Sequence, residues 1–158
     1  MSKLGDFLDL IEIKDDKKYL NVKNKNIISF EGLNCDLYYL DISYNDITSF
    51  DGLRVNIENL DISYNDITSF DGLRVNIENL NISCNDITSF DGLKVDIEKL
   101  DCRYNQITSF ESKANIKNLK FTCDSNVLSQ GLNIQNLKCI KSKKSSNDEY
   151  EVHILKNN

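Results

Sequence analysis

Leu20, Leu40, Leu60, Leu80 and Leu100 recur at one fixed interval, and Leu119 and Leu137 continue it slightly shortened. In the copy that begins at Leu60, the apolar positions are Leu60, Ile62, Ile67, Phe70, Leu73, Val75 and Ile77. Leu60 and Ile62 alternate with polar Asp61 and Ser63, the period of a short strand. A strand that short does not stand alone. Stacked on its copies about 4.8 Å away, it forms a parallel sheet along a solenoid, the architecture that internal repeats of this length indicate. Mid-chain the repetition is complete, since DISYNDITSFDGLRVNIENL fills residues 41–60 and then residues 61–80.

The rest of each copy must turn the chain and return it. Asn65 marks a first bend and Asp71-Gly72 a second, where glycine supplies the dihedrals of a tight turn. Ile67, Phe70 and Leu73 are three apart, as on a helix, but the span is short and Thr68 and Val75 are β-branched. Turns or a single 3₁₀ turn are expected there, with little α-helix.

The stretch IENLDISYNDI fits L-x-x-L-x-L-x-x-N-x-L, with Ile57, Leu60, Ile62, Asn65 and Ile67 at the marked positions. The fit recurs at residues 37–47, 77–87 and 97–107, with weaker copies at 20–33 and 116–140. This pattern resembles the leucine-rich repeat family, and the short period looks like its shortest repeat class, seen in some bacterial effector proteins. The resemblance implies a leucine-rich repeat solenoid with a curved parallel β-sheet on the concave side and turns or short 3₁₀ segments on the convex side. Proteins of that class carry prolines on the returning segment, and this chain has none. The composition is also similar to that of leucine-rich proteins of giant DNA viruses of amoebae, which would place the chain in a host cytoplasm.

Two columns read as structural. Asn45, Asn65, Asn85 and Asn105 fall inside the first bend of successive copies, where a side-chain amide satisfies backbone groups that the turn leaves unpaired. Phe30, Phe50, Phe70, Phe90 and Phe110 lie between apolar neighbours and read as core rather than as a ligand platform.

The outward side of the sheet is the broad, rigid surface of such an array. Its columns are Asn21, Asp41, Asp61, Asn81, Asp101, Lys120 and Lys138, then Tyr19, Tyr39, Asn59, Asn79, Lys99, Asn118 and Asn136. At the far lip stand Tyr44, Tyr64, Cys84, Tyr104 and Cys123. Aromatic groups interleaved with polar ones favour protein interfaces. The candidate partner-binding residues are therefore Tyr39, Asp41, Tyr44, Asp61, Tyr64, Asp101, Arg103 and Tyr104.

Solenoids need caps. Residues 1–18 are expected to form the N-terminal one: either Leu4, Phe7, Leu8 and Ile11 share a helical face capped by Ser2, or LIEIKDDKKYLNV forms a hairpin. About seven coils then fill residues 19–140, followed by a polar loop at 141–148 and a capping strand and tail at 149–158. So short an N-terminal segment is not expected to hold a further catalytic or recruitment domain ahead of the first coil.

Composition narrows the function class. The 158 residues are 40% hydrophobic and 28% charged, within the globular range. A formal charge of −6 disfavours nucleic acid or an anionic membrane as partner. That charge is uneven: residues 41–100 hold four Lys/Arg against twelve Asp/Glu, a balance of −8, whereas residues 113–158 hold eight against four. A basic patch on a partner would be steered to the middle coils. No apolar run of membrane-spanning length occurs, and the first residues, with acidic side chains scattered through their apolar part, are not expected to act as a secretory leader. The five cysteines (Cys35, Cys84, Cys102, Cys123, Cys139) show no C-x-x-C spacing, which fits a reducing, intracellular and cytoplasmic setting.

Catalysis is not expected. His153 is the only histidine and falls in the C-terminal cap, and no phosphate loop, metal cluster or two-carboxylate cleft occurs. Copied aspartates lack the dense oxygen loops of calcium sites, so no metal and no cofactor is expected. What remains is a monomeric module that binds another protein through its concave face. The alternative is a structural element that self-assembles through its ends.

Overall fold

The computed structural model describes residues 2–108, 114, 116–122, 139–144 and 149–154. Its core is a β-solenoid. The strands β3 (Lys17–Asn21), β5 (Leu37–Asp41), β6 (Ile57–Asp61), β7 (Asn79–Asn81), β8 (Ile97–Cys102) and β9 (Ile116–Thr122) pair in parallel, each with the next. The register is the sequence period itself: Leu20, Leu40, Leu60, Leu80, Leu100 and Leu119 stand side by side. Backbone pairing continues past the strands, with Ile42 N–H donating to Asp61 C=O and Tyr44 N–H to Ser63 C=O, and likewise one coil later.

Each coil is closed by the second bend that the sequence marks. Leu53 N–H donates to Phe50 C=O at 3.1 Å across Asp51-Gly52, and Gly52 takes φ 86°. That is a type II turn, whose third position requires positive φ, and Gly32, Gly72 and Gly92 repeat it. The returning segments are turns and extended chain. The one 3₁₀ helix among the described residues lies in the N-terminal cap.

Inside, the leucine and isoleucine columns pack against Phe30, Phe50, Phe70 and Phe90, all fully buried. Their rings stack at centroid distances of 6.4, 6.4 and 5.6 Å. The phenylalanine column is core, as its apolar neighbours require; Phe110 lies outside the described residues.

The N-terminal cap uses both alternatives. A 3₁₀ helix spans Leu4–Leu10, and β2 (Glu12–Lys14) then forms an antiparallel hairpin with β3. Ser2 does not cap that helix: it lies in β1 (Ser2–Lys3), which pairs with β4 (Ile27–Ser29). Instead Asp6 Oδ2 accepts Lys3 N–H at 2.9 Å. The hairpin turn holds Asp15 and Asp16 at φ 51° and 58°, the paired left-handed residues of a type I′ turn. Because β3 starts at Lys17, the boundary expected between residues 18 and 19 falls inside a strand. The cap seats by backbone contact. A Cβ on Gly5 or Gly32 would meet the other's Cα at 2.7 Å, and Gly5 N–H donates to Glu31 C=O at 2.9 Å.

The C-terminal end departs from the repeat. Beyond β9 the next strand is β11 (Glu149–Ile154), antiparallel, and β10 (Cys139–Lys144) pairs antiparallel with β11 at the outer edge. The place that a seventh parallel strand would take is thus occupied by the capping strand. Residues 141–144, expected in a loop, belong to β10, while 145–148 lie outside the described residues.

Candidate functional site: the outward face and its tyrosine rim

The asparagine ladder sits where the bend leaves backbone groups exposed to the core. Asn65 Oδ1 accepts Ile47 N–H at 2.9 Å, and its Nδ2 donates to the carbonyls of Ile42, Ile62 and Ser63. Asn45, Asn85 and Asn105 repeat the arrangement, so each amide ties its own coil to the one before. An amide alone among side chains offers donors and an acceptor together for that task.

On the sheet face the aspartate column is largely committed to the fold. Asp41 Oδ1 accepts both Ser43 N–H and Ser43 Oγ–H, at 3.0 and 2.6 Å, and Asp61 does the same with Ser63. Asp61 Oδ2 also accepts Asn81 Nδ2–H at 3.1 Å. Asp101 is held by Arg103, whose guanidinium lies 2.8 Å from Oδ2. Asp41 is buried and the other two half-buried. These carboxylates shape the turn that follows each strand, in the manner of side chains that bond their own backbone two residues on. Tyr39 stands beside them: burial, then the charges of Asp41 and Asp61, raise its phenol above the usual range. Among the described residues no group of three His, Cys, Asp or Glu could hold a metal ion.

One column over, an amide chain runs along the stack. Asn59 Nδ2 donates to Tyr38 C=O, and Asn79 Nδ2 donates to Asn59 Oδ1 at 2.8 Å. It stops at Asn79 Oδ1, which is buried without a hydrogen-bond partner among the described residues. The next position in that column is Lys99, not a third asparagine.

The rim is where exposure lies. Tyr44, Tyr64 and Tyr104 are 44%, 47% and 52% exposed in the bends that follow their strands. Tyr44 and Tyr64 stack at 4.2 Å between centroids and 12° between planes. All three, and Cys84 between them, hold φ of 55° to 58°, the left-handed region that tyrosine rarely adopts. Asn24 fills the equivalent place in the first coil, at φ 56°. The neighbouring Cys84 thiol, and then the Tyr44 phenol, push the phenol of Tyr64 up to about 12.

Sequence reasoning missed the lysines that cover these rings. Lys23 Nζ lies 4.6 Å from the Tyr44 centroid, Lys17 Nζ 3.6 Å from Tyr38, and Lys14 Nζ 5.8 Å from Tyr19. Tyr19 and Tyr38 also meet edge to face at 5.2 Å. The signal was available, because Lys23 stands one coil and one residue before Tyr44. The thiols divide by depth: Cys102 is buried, and burial followed by the charge of Asp101 lifts it well above the ordinary thiol range, while Cys35 and Cys84 are half-buried and unpaired. Cys123 lies outside the described residues. No helix among the described residues is long and apolar enough to cross a membrane. Compared with protein-family models, with curated proteins and with solved structures, the chain matches none of them.

Proposed function

We propose that this chain is a non-catalytic module of the leucine-rich repeat type that binds another protein through the outward, concave face of its sheet. The observation that carries this reading is the tyrosine rim. A non-glycine residue in left-handed backbone costs about 1–2 kcal/mol, asparagine less than most. The first coil forms the same bend with Asn24, so folding has no need of an aromatic ring there. Three large, half-exposed rings held at positions that penalise them serve something outside the fold, and tyrosine is a favoured anchor of protein interfaces. The half-buried free thiols of Cys35 and Cys84 suit a reducing, cytoplasmic site of action.

The test is capture of partners from source-cell lysate on the intact chain and on a variant with Tyr44, Tyr64 and Tyr104 changed to Asn. Asparagine suits the left-handed bend, so the variant keeps the fold. A protein held by the first and lost by the second supports the reading. Identical captured sets overturn it. A second reading is self-assembly, favoured by one feature: Ile13 is 68% exposed on β2, the edge strand of the sheet. An elution volume that shifts with dilution would support it.

A further inference from the structure

We infer that this chain pairs with a second copy of itself along β2, antiparallel and centred on Ile13, so that two sheets join into one. This rests on the self-assembly reading above and gives it a place, a register and an end point, leaving the tyrosine rim to other partners.

The free edge follows from the hairpin. Among the described residues no strand lies beyond β2 in the nine-stranded sheet, and Glu12, Ile13 and Lys14 are all exposed. Across the two-residue turn at Asp15-Asp16, Lys14 stands opposite Lys17 and Ile13 opposite Lys18. In such a hairpin the pair next to the turn exchanges both backbone bonds, and the following pair exchanges none. The N–H and C=O of Ile13 therefore point away from β3, toward the open edge. To either side the edge closes. Ile11 N–H is given to Leu8 C=O, and Asp15 turns off at φ 51°. Ile13 thus offers a donor and an acceptor together, which is what one antiparallel partner residue needs.

The side chains select the occupant. With Ile13 opposite the second copy's Ile13, Glu12 of each chain faces Lys14 of the other, so both flanking pairs join opposite charges. Sliding the copies by two residues one way sets Glu12 against Glu12, and the other way Lys14 against Lys14. Each such slip also moves Ile13 onto Ile11, whose N–H is taken, or onto Asp15 in the turn. A slip of one residue sets Ile13 against a residue whose own groups face β3. Charge and backbone pairing thus choose the same register. Glu12 and Lys14 lie on one side of the strand, ion-paired at 2.5 Å, and two such pairs brought together alternate in sign. On the opposite side the two Ile13 side chains, each 68% exposed, come to rest beside each other. The other edge strand, β10, has the sequence CIKSKK and so holds no negative charge to set against Lys14. Pairing β2 with β2 is two-fold and closes at two chains. The axis stands perpendicular to the sheet, so both outward faces look the same way and their rims follow opposite edges. A partner with two sites would then gain from avidity.

The experiment is sedimentation velocity on the full chain at low salt, over concentrations reaching about 1 mM, because so small an interface associates weakly. The intact chain should pass from one chain to two as concentration rises, and stop there. Glu12→Lys and Lys14→Glu each set like charges in both flanking pairs, and each should weaken association about ten-fold. The two changes made together in one chain restore opposite signs at unchanged net charge and should recover the intact affinity. Ile13→Pro suits an edge strand but lacks the outward N–H, and should leave a single chain. Circular dichroism of every variant should match the intact chain, since all three positions are exposed. Association that the charge changes leave untouched, or that the double variant fails to recover, overturns the inference while self-assembly through another surface stands. Growth beyond two chains does the same, by pointing to end-to-end stacking. A chain that stays single at about 1 mM removes both the inference and the self-assembly reading. If in that case Ile13→Pro loses a lysate protein that the intact chain holds, the edge belongs to another protein's strand.

Discussion

Coils 41–60 and 61–80 have the same twenty residues and do not have the same chemistry. Asp41 is buried beside another aspartate, whereas Asp61 is half-buried and takes a hydrogen bond from Asn81. Asn59 ends on a backbone carbonyl, and its copy Asn79 ends on Asn59 and leaves its own oxygen unpaired among the described residues. Tyr44 lies under a lysine, whereas the phenol of Tyr64 is raised first by the thiol of Cys84. Every one of these differences comes from the flanking coils, whose residues lie one period away. In a solenoid, identity of sequence secures identity of backbone, and the character of an exposed side chain is set by its neighbours across the strands.

Changes in the core should erase the difference between the two coils, and changes on the face should expose it. The largest expected effect is the plainest. Phe50→Ala and Phe70→Ala should each cost about 3–5 kcal/mol, because each ring is fully buried between two others. Denaturant midpoints that differ clearly between these two variants would show that the coils are not equivalent even inside. Next comes the asparagine ladder. Asn65→Ala should cost about 1–3 kcal/mol through backbone groups left unpaired. Asn45→Ala should cost more, since Asn45 Oδ1 accepts a second backbone N–H, from Lys25, that has no counterpart at Asn65. The reverse order would break the hydrogen-bond account of the ladder.

Smaller effects lie on the rim. Cys84→Asn should raise stability by about 1 kcal/mol, by placing in left-handed backbone a residue that tolerates it. Tyr64→Asn should gain less, because it also gives up a stacked ring contact worth about 0.5–1.5 kcal/mol. Thermal melts compare the two. The smallest effect is in titration. The Cys84 thiol, and then the Tyr44 phenol, hold the Tyr64 phenol protonated up to about 12, above its ordinary value of 10.0. A raised folded value means that this contribution to stability is fully present below the unfolded pKa and is lost as pH rises through the folded one. Ultraviolet titration should therefore find Tyr64 ionising late, and Cys84→Ala should move it down. A Tyr64 whose titration is unmoved by Cys84→Ala would exclude the thiol as the cause.

The period, the buried leucines and isoleucines, the phenylalanine column and the asparagine ladder were all legible in the sequence, because each repeats in register and each follows from burial. The rim backbone was not. Nothing local to the residues Ser43-Tyr44-Asn45 announces positive φ, which arises because Asp41 and Asn45 tie the chain down on either side of the tyrosine. For the same reason Asp41, Asp61 and Asp101 looked like partner ligands when read as columns. Only the hydrogen bonds to Ser43, Ser63 and Arg103 show that they first hold a turn. The ends were hardest to read. At the N-terminus the sequence fits a helix or a hairpin, and Gly5 against Gly32 lets both fit on one coil. At the C-terminus a fading repeat gave no sign that the last strands run antiparallel.

The ladder of bonds carries one further implication, for how such a chain changes over generations. Its side-chain bonds between neighbouring coils join residues 18, 20, 21 or 23 apart, distances that survive only if chain is gained or lost in whole coils. Copying errors of any other size shift asparagine off its carbonyls and leucine off its column together. A tandem duplication of one period leaves every bond with a partner, and the identical pair at 41–80 is what such an event looks like before substitutions blur it. Length can therefore vary in fixed steps while the coil stays constant, and new specificity enters afterwards through single exposed positions such as Tyr64.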